Sequence, residues 1–311
     1  MTAAERSSGQ KRGLLSMNAR EALTGYLFIA PALISLAVWW IWPIIYSTYL
    51  SLTRWDFMSP VKDWVGLENY IKIATHREFH RVLWNTVYFS VASVILAVIL
   101  GLILALILNQ KLRGTSIYRA LIFSPWITPT VAAALVWLWI YNRDLGILNN
   151  ILSLVGVNKI DWIGSGQGVF RLWAMPSLII FTVWKTAGYN MVYFLAGLTT
   201  IPSELYEAAE IDGAGNWQKF RNITLPLLSP MTFFIMVVSL IGAFNAFDQI
   251  RVLTQGGPGD ATRTIVYYLY QNAFQFFEVG YGSAVAIILL ALLLLLTFVQ
   301  FRVANRWVHY G

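Results

Sequence analysis

The chain has 311 residues, 58% of them hydrophobic and 12% charged, with a mean hydropathy of +0.61. A soluble domain carries roughly 25% charged residues, so this is the composition of an integral membrane protein. The absence of cysteine excludes disulfides, thiolate nucleophiles and cysteine metal sites, and the modest net charge of +7 sits on residues that flank apolar runs, where they meet lipid headgroups, rather than on a basic, aromatic surface suited to nucleic acid.

The chain opens on "MTAAERSSGQKRGLLSMNAR", polar and basic through Arg6, Lys11, Arg12 and Arg20. The apolar stretch after it is longer than the roughly 7–15 residues of a signal-peptide core, so residues 1–22 read as a cytoplasmic tail ahead of a retained first span. Crossing the hydrocarbon takes about 20 apolar residues in a helix. Six stretches qualify: Tyr26–Leu50, Val87–Leu108, Ala120–Ile140, Pro176–Leu198, Pro230–Phe247 and Ser283–Phe301. They are continuous runs without the alternation of a membrane β-barrel. The expected fold is therefore all-α: a six-helix transmembrane domain over residues 23–303, then a cytoplasmic tail over 304–311. Pro31, Pro43, Pro125, Pro129 and Pro230 fall inside or at the ends of spans and predict kinks.

Ahead of the second span, "HREFH" places His76 and His80 at i, i+4, a spacing that can share a metal on a helix. The metalloprotease pattern needs Glu directly after the first His, where Arg77 stands, and no third ligand is evident. The stretch reads instead as a polar external helix. The fourth span holds Lys185, the one charge in any of the six. Intramembrane charges are functional candidates; Lys185 either faces a cavity or snorkels to the interface. Tyr189 shares its face, with Asn190 and Tyr193 nearby. In the fifth span Ser239, Gly242, Asn245 and Gln249 form a small-polar stripe, either a helix-packing seam or a solute path. Asn245, Asp248 and Gln249 together resemble a cluster able to read sugar hydroxyls, for which Trp residues supply the apolar face. Trp137, Trp139 and Trp173 read as interfacial belt. The "QGGPG" stretch, Gln255 to Gly259, is a tight external turn.

An even number of spans places both termini on one side. The charges barely choose it: eleven Lys and Arg residues lie on the side of the N-terminus and ten on the other. Short loops near span ends weigh most, and "NQKLRGTSIYR" and "FRVANRW" favour that side as the cytoplasm.

Between the fourth and fifth spans stands "EAAEIDGAGNWQKFRNITLP", Glu207 to Pro226; from Glu204 to Arg221 this region carries six charged residues. Ser203 can cap a helix with Glu204 and Glu207 at the positive end of its dipole. Leu205, Ala208, Ala209 and Asp212 fall at i, i+3, i+4 and i+7, one face of a short helix. Gly213 supplies a left-handed terminator, and Asn216 can cap a second helix. Pro226 and Pro230 break the entry into the fifth span. An acidic, alanine-rich helix is a poor match for an anionic lipid surface and a better one for a groove on another protein.

The residues Glu207, Ala208, Ala209, Gly213, Ile223, Leu225 and Pro226 match in type and spacing the EAA loop of membrane subunits of bacterial ABC importers, which this segment resembles. "WVGLENY" (Trp64–Tyr70), "LTQGGPGDAT" (Leu253–Thr262) and "VQFRVANRW" are similar to carbohydrate-uptake permeases of the maltose and glycerol-3-phosphate type. The resemblance spans the chain after residue 25. It implies a type I importer permease fold in which the loop, residues 199–225, is a cytoplasmic coupling helix docking on an ATPase through Glu207, Ala208, Ala209, Asp212, Gly213 and Ala214. It also implies a second, related permease subunit, two ATP-binding subunits that hold ATP and Mg, and an extracytoplasmic solute-binding protein. No G-x-x-x-x-G-K-[ST] loop occurs in this chain, so a partner must supply nucleotide chemistry by that device, and the chain reads as a transport subunit rather than an enzyme. A neutral mono- or oligosaccharide is the expected solute, with glycerol-3-phosphate or another polyol or glycoside as the alternative. An ATP-independent channel or carrier and an intramembrane enzyme are the remote ones. The expected solute path comprises Lys185, Tyr189, Asn190, Tyr193, Asn245, Asp248 and Gln249.

Overall fold

The computed structural model describes residues 11–110, 113–164 and 171–308. Residues 1–10 of the basic N-terminal segment, Lys111 of the short basic loop and residues 309–311 lie outside them. Helix α1 (Lys11–Leu36) passes through Pro31 into a five-residue π turn, Ala37–Ile41, and then α2 (Trp42–Ser51). Pro43 has no N–H to donate to the carbonyl four residues back. The wider turn, in which the Trp42 N–H reaches the Ala37 carbonyl, accommodates that gap without breaking the span. The same device recurs at Phe220–Thr224, two residues ahead of Pro226, with the Leu225 N–H on the Phe220 carbonyl. A proline two residues beyond marks both of these π turns, whereas a third, Gln271–Gln275, has none after it.

A two-stranded antiparallel ribbon, β1 (Thr53–Arg54) and β2 (Asp63–Trp64), leads to α3 (Glu68–Thr75). Helix α4 runs unbroken from Arg77 to Leu108, so "HREFH" is not a separate external helix: His76 is the residue that opens α4, and His80 Nδ1 lies 3.0 Å from the His76 carbonyl oxygen. Among the described residues no group of three His, Asp or Glu side chains converges as a metal site.

The third predicted span is not one straight helix. It is broken into α5 (Thr115–Ile127) and α6 (Thr130–Ile140), whose axes meet at 99°. Pro129 removes the donor for the Pro125 carbonyl, and the residue before a proline is driven out of helical geometry; Thr128 is extended, with ψ 132°. After α7 (Ile147–Leu154) comes α8 (Arg171–Thr199). The element between the fourth and fifth spans consists of α9 (Ser203–Ile211), α10 (Asn216–Lys219), the second π turn and α11 (Leu225–Leu227). It enters α12 (Ser229–Phe244) at a 60° bend. The fifth predicted span ends early, at Phe244, and a separate short helix α13 (Asp248–Leu253) follows it. Helices α14 (Ile265–Tyr270) and α15 (Val279–Ala304) complete the chain. Among the described residues four helices are long and apolar enough to cross a membrane, and the number is six if each of the two bent pairs is one span.

Helices α4 and α8 form the central pair, with α5 and α12 against them. Two glycines permit the close approach. A Cβ on Gly101 would lie 2.6 Å from the Asn190 Cβ, and one on Gly188 would lie 2.0 Å from the Ile122 carbonyl oxygen. Three apolar clusters hold the bundle. One surrounds Tyr141, Trp162, Phe181 and Ile250; another Phe79, Val82, Tyr268 and Val285; the third Ala105, Met191, Phe194, Leu198 and Ile235. Trp137 is half-buried against the first, with its ring centroid 5.0 Å from Tyr141 and 5.3 Å from Trp184. The first span is covered least: most of its length is exposed within the chain, and only its end, at Leu50 and Ser51, is buried, where α2 packs on α15.

Candidate functional site

Two features stand out, an exposed helical element and a cavity, and α8 and α12 join them. The element begins differently from the sequence expectation. Ser203 is already helical, and Pro202 holds the cap position. Its end is as expected. Gly213 has φ +78°, its N–H donates to the Glu210 carbonyl at 3.0 Å, and the Ala214 N–H donates to the Ala209 carbonyl at 2.8 Å. This paired pattern around a left-handed glycine is the Schellman terminator. The second helix is capped at Gly215, not Asn216, and the Gln218 side chain accepts the Gly215 N–H at 2.8 Å.

The two short helices are tied together by Lys219 and Glu210 (2.9 Å), and the first is tied to the π turn through the Tyr206 hydroxyl and Thr224 Oγ1 (3.0 Å). Tyr206, Ile223 and Leu227 pack on the third apolar cluster. Leu205 and Ala208 are exposed, Asp212 lies past the helix end, and the inward contact is made by Tyr206 with Ala209 and Ala214 half-buried. Glu207, Asp212 and Gly213 are all exposed. Spacing passed over Ile211 and Trp217, the large apolar side chains that the outer surface presents at 88% and 68% exposure. An isoleucine inside an acidic stretch was the available signal.

The cavity has a volume of about 450 Å³ and is walled by α4, α5, α6, α8, α12 and α13. Lys185, Tyr189, Asn245, Asp248 and Gln249 all line it. Asn190 and Tyr193 do not: Asn190 is fully buried against α4, and Tyr193 accepts a hydrogen bond from the Tyr189 hydroxyl at 3.2 Å. The stripe on the fifth span does not seal a helix contact at Gly242, where a Cβ would meet nothing within 4 Å and the backbone borders the cavity. The stripe reaches the cavity across a helix end, since Asn245 is the residue that closes α12 and Gln249 lies in α13.

Lys185 does not snorkel. It is 9% exposed, and Nζ donates to the carbonyl oxygens of Pro125 (3.1 Å) and Thr128 (2.6 Å) at the break between α5 and α6. Among the described residues, Lys185 and Asp248 are the charged side chains that line the cavity. Several hydroxyls of the wall are turned to their own helices, Ser93 to Phe89, Thr182 to Leu178 and Thr186 to Thr182. Polar groups of the lining also come from Asn245, Asp248 and Gln249, with Asn245 Nδ2 donating to the Ile241 carbonyl at 2.9 Å. The aromatic wall is Trp126 stacked on Tyr189, with centroids 4.2 Å apart and planes at 28°. Trp126 lies between Pro125 and Pro129, a position whose significance depends on the bend and so was not evident from spacing.

Beyond the cavity, the "QGGPG" turn is pinned to the start of α4. Asn85 donates to the Asp260 carbonyl at 2.7 Å, and Thr86 accepts the Ile265 N–H at 2.9 Å. Buried Arg263 bridges Glu78, Asp260 and Gln271.

A bundle of apolar helices that makes six spans if each bent pair is one, with a cavity between the helices and a protruding helical element, has the architecture of a transport permease. Residues 81–309 match the family model described as the binding-protein-dependent transport system inner membrane component. The chain belongs to this family of membrane permeases, whose members transport rather than catalyse. It is 41% identical over 286 residues to the trehalose/maltose transport system permease protein MalF of Thermococcus litoralis, covering 92% of this chain and 95% of the relative. It is 34% identical over 286 residues to the sn-glycerol-3-phosphate transport system permease protein UgpA of Yersinia enterocolitica, with the same coverage. The fold is that of a chain in the crystal structure of a bacterial ABC transporter involved in the import of the acidic polysaccharide alginate. The TM-score is 0.80 and the identity 23%, covering 94% of this chain and 98% of that one.

Proposed function

We infer that this chain is the permease subunit of an ATP-driven importer that carries a neutral sugar across the cytoplasmic membrane. One observation carries the reading. The EAA element is exposed, internally cross-tied and continuous with α8 and α12, two helices that wall the cavity. Force applied to that element by a partner would reach the cavity through short, hydrogen-bonded connections, as alternating access requires. The partner is an ATPase that binds ATP and Mg and docks on Glu207, Ala208, Ala209, Asp212, Gly213 and Ala214, together with Ile211. The element and both termini then face the cytoplasm. Two such ATPase subunits, a second related permease and an extracytoplasmic binding protein complete the assembly. The first span, exposed over most of its length, supports a partner or lipid against it.

The cavity suits a sugar on its chemistry. Trp126 and Tyr189 offer an aromatic face to the apolar side of a pyranose, and Asn245, Asp248 and Gln249 offer amide and carboxylate groups to its hydroxyls. A phosphorylated solute is the poorer fit, because the ammonium of Lys185 is engaged by main-chain carbonyls and Asp248 adds a negative charge to the lining. The test is ATPase activity of the reconstituted complex with its delivery protein across a panel of neutral and phosphorylated solutes. Stimulation by one or more neutral sugars is expected. Solute movement by the chain alone, without a nucleotide-consuming partner, overturns the reading.

A further inference from the structure

Lys185 is the sole charge within the predicted spans, and its hydrogen bonds point to a task other than holding solute. Pro129 cannot donate to the carbonyl of Pro125, the acceptor four residues before it. The 99° turn that follows takes the Thr128 carbonyl out of helical pairing as well. An orphaned carbonyl in a water-poor interior is costly. The Ser124 carbonyl is served locally, by the Thr128 N–H at 3.2 Å and the Thr128 hydroxyl at 3.0 Å. The Pro125 and Thr128 carbonyls are served by Lys185 of α8.

The same turn of α5 is gripped by α8 at two further points. The Gly188 backbone lies against Ile122, where a Cβ would come within 2.0 Å of the carbonyl oxygen, and Tyr189 stacks on Trp126. Gly188, Tyr189 and Lys185 are within five residues of one another on α8. Trp126, which neighbours Pro125 in the chain, is the aromatic wall of the cavity.

We propose that Lys185 is a positioning residue, a cationic pin that supplies the two donors missing at the proline break, fixes the angle between α5 and α6, and thereby sets Trp126 against the cavity. Its charge is spent on main-chain carbonyls and does not select the solute. This deepens the reading of the chain as a sugar permease, but the pin acts on helix geometry whether or not sugar is the cargo.

Spin labels report the angle directly. The chain has no cysteine of its own, so Leu121→Cys on α5 and Leu135→Cys on α6, 63% and 57% exposed, take labels selectively. Their distance is measured by pulsed electron resonance in the assembled complex, its other subunits made cysteine-free, without solute. Lys185→Met is expected to shift or broaden the distance distribution. Loss of even one charge-assisted hydrogen bond moves the balance of bent and splayed forms roughly tenfold. Uptake should fall by a similar factor for every transported solute tested, and Lys185→Arg, which keeps donors within reach, should restore both. An unchanged distribution with altered uptake makes Lys185 a solute ligand and overturns the pin; so does a fall confined to some solutes. Unchanged distance and unchanged uptake also overturn it. If Lys185→Met does not assemble, Lys185→Gln is measured in its place. One bond shorter, it cannot reach both carbonyls, and a wild-type distribution refutes the proposal. Absence of sugar transport by the unsubstituted complex would count against the proposed function and leave the distance result standing.

Discussion

Replacing Gly213 by aspartate separates two effects that a single loss of uptake would confuse. The residue has φ +78°, a conformation that costs an L-residue roughly 1–2 kcal/mol, and Asp and Asn are the side chains that tolerate it best. A Cβ at this position meets nothing within 4 Å. The two Schellman hydrogen bonds use main-chain atoms and survive the change. The helix end therefore weakens by roughly 1 kcal/mol, small beside the 5–15 kcal/mol that holds a typical fold, and the permease should insert and assemble normally. What changes is the outer surface. A new carboxylate stands beside Asp212 and near Glu207 and Glu210, on a face that must be desolvated when a partner covers it. Gly213→Asp is expected to lower uptake by more than about tenfold, since burying one unpaired charge costs well over 1.4 kcal/mol. Gly213→Asn, of the same size but uncharged, should retain a measurable part. Uptake into vesicles, membrane abundance of the permease, and co-purification of the ATPase are read side by side. Wild-type uptake by Gly213→Asp refutes docking at this face. A variant missing from the membrane refutes the inference that the glycine occupies open space.

Trp126→Ala removes one ring of the stacked aromatic pair that lines the cavity and should raise the solute concentration for half-maximal stimulation of the ATPase roughly two- to tenfold, the worth of one aromatic contact; no change would place solute elsewhere. Arg263→Met removes an ion cluster with Glu78 and Asp260, a 2.5 Å hydrogen bond to Gln271 and a cation–π contact with Tyr268. It should lower stability by roughly 3 kcal/mol, because the arginine is buried while both acids stay partly hydrated, and a thermal unfolding scan of the detergent-solubilised complex measures it. Lys219→Met breaks a bridge to Glu210 that is 70% exposed on the acid side. It should change stability by less than about 1 kcal/mol while lowering uptake, because the tie joins the two short helices through which force passes; unchanged uptake would show that this tie carries no force.

Much of this molecule is legible one segment at a time, because the bilayer imposes constraints that act locally. A run of about 20 apolar residues must be helical, since unpaired backbone groups are not tolerated in hydrocarbon. This made α4, α8 and α15 readable, and the turn at Gly213 followed from the same short-range logic. The EAA pattern and the family resemblance were likewise carried by contiguous residues. Tertiary structure decided whatever depends on two segments meeting. Pro125 and Pro129 announced a kink, but whether Thr128 bends the chain by 99° depends on α8 offering Lys185 and Gly188 to receive it. Lys185 was ambiguous between cavity and interface because its partners lie 57 and 60 positions away. Trp137, polar-tipped and near a span end, had the composition of an interfacial residue, and its half-buried ring packs on Tyr141, Phe181 and Trp184, contacts that spacing could not show. Asn245 and Gln249 lie on different helices yet share one cavity, and Asn190, their neighbour in the expected path, is sealed away by the approach of Gly101. Hydrophobicity and backbone chemistry determine where each helix begins and how it ends; which face it turns to a cavity is settled by the neighbours that occupy its other sides.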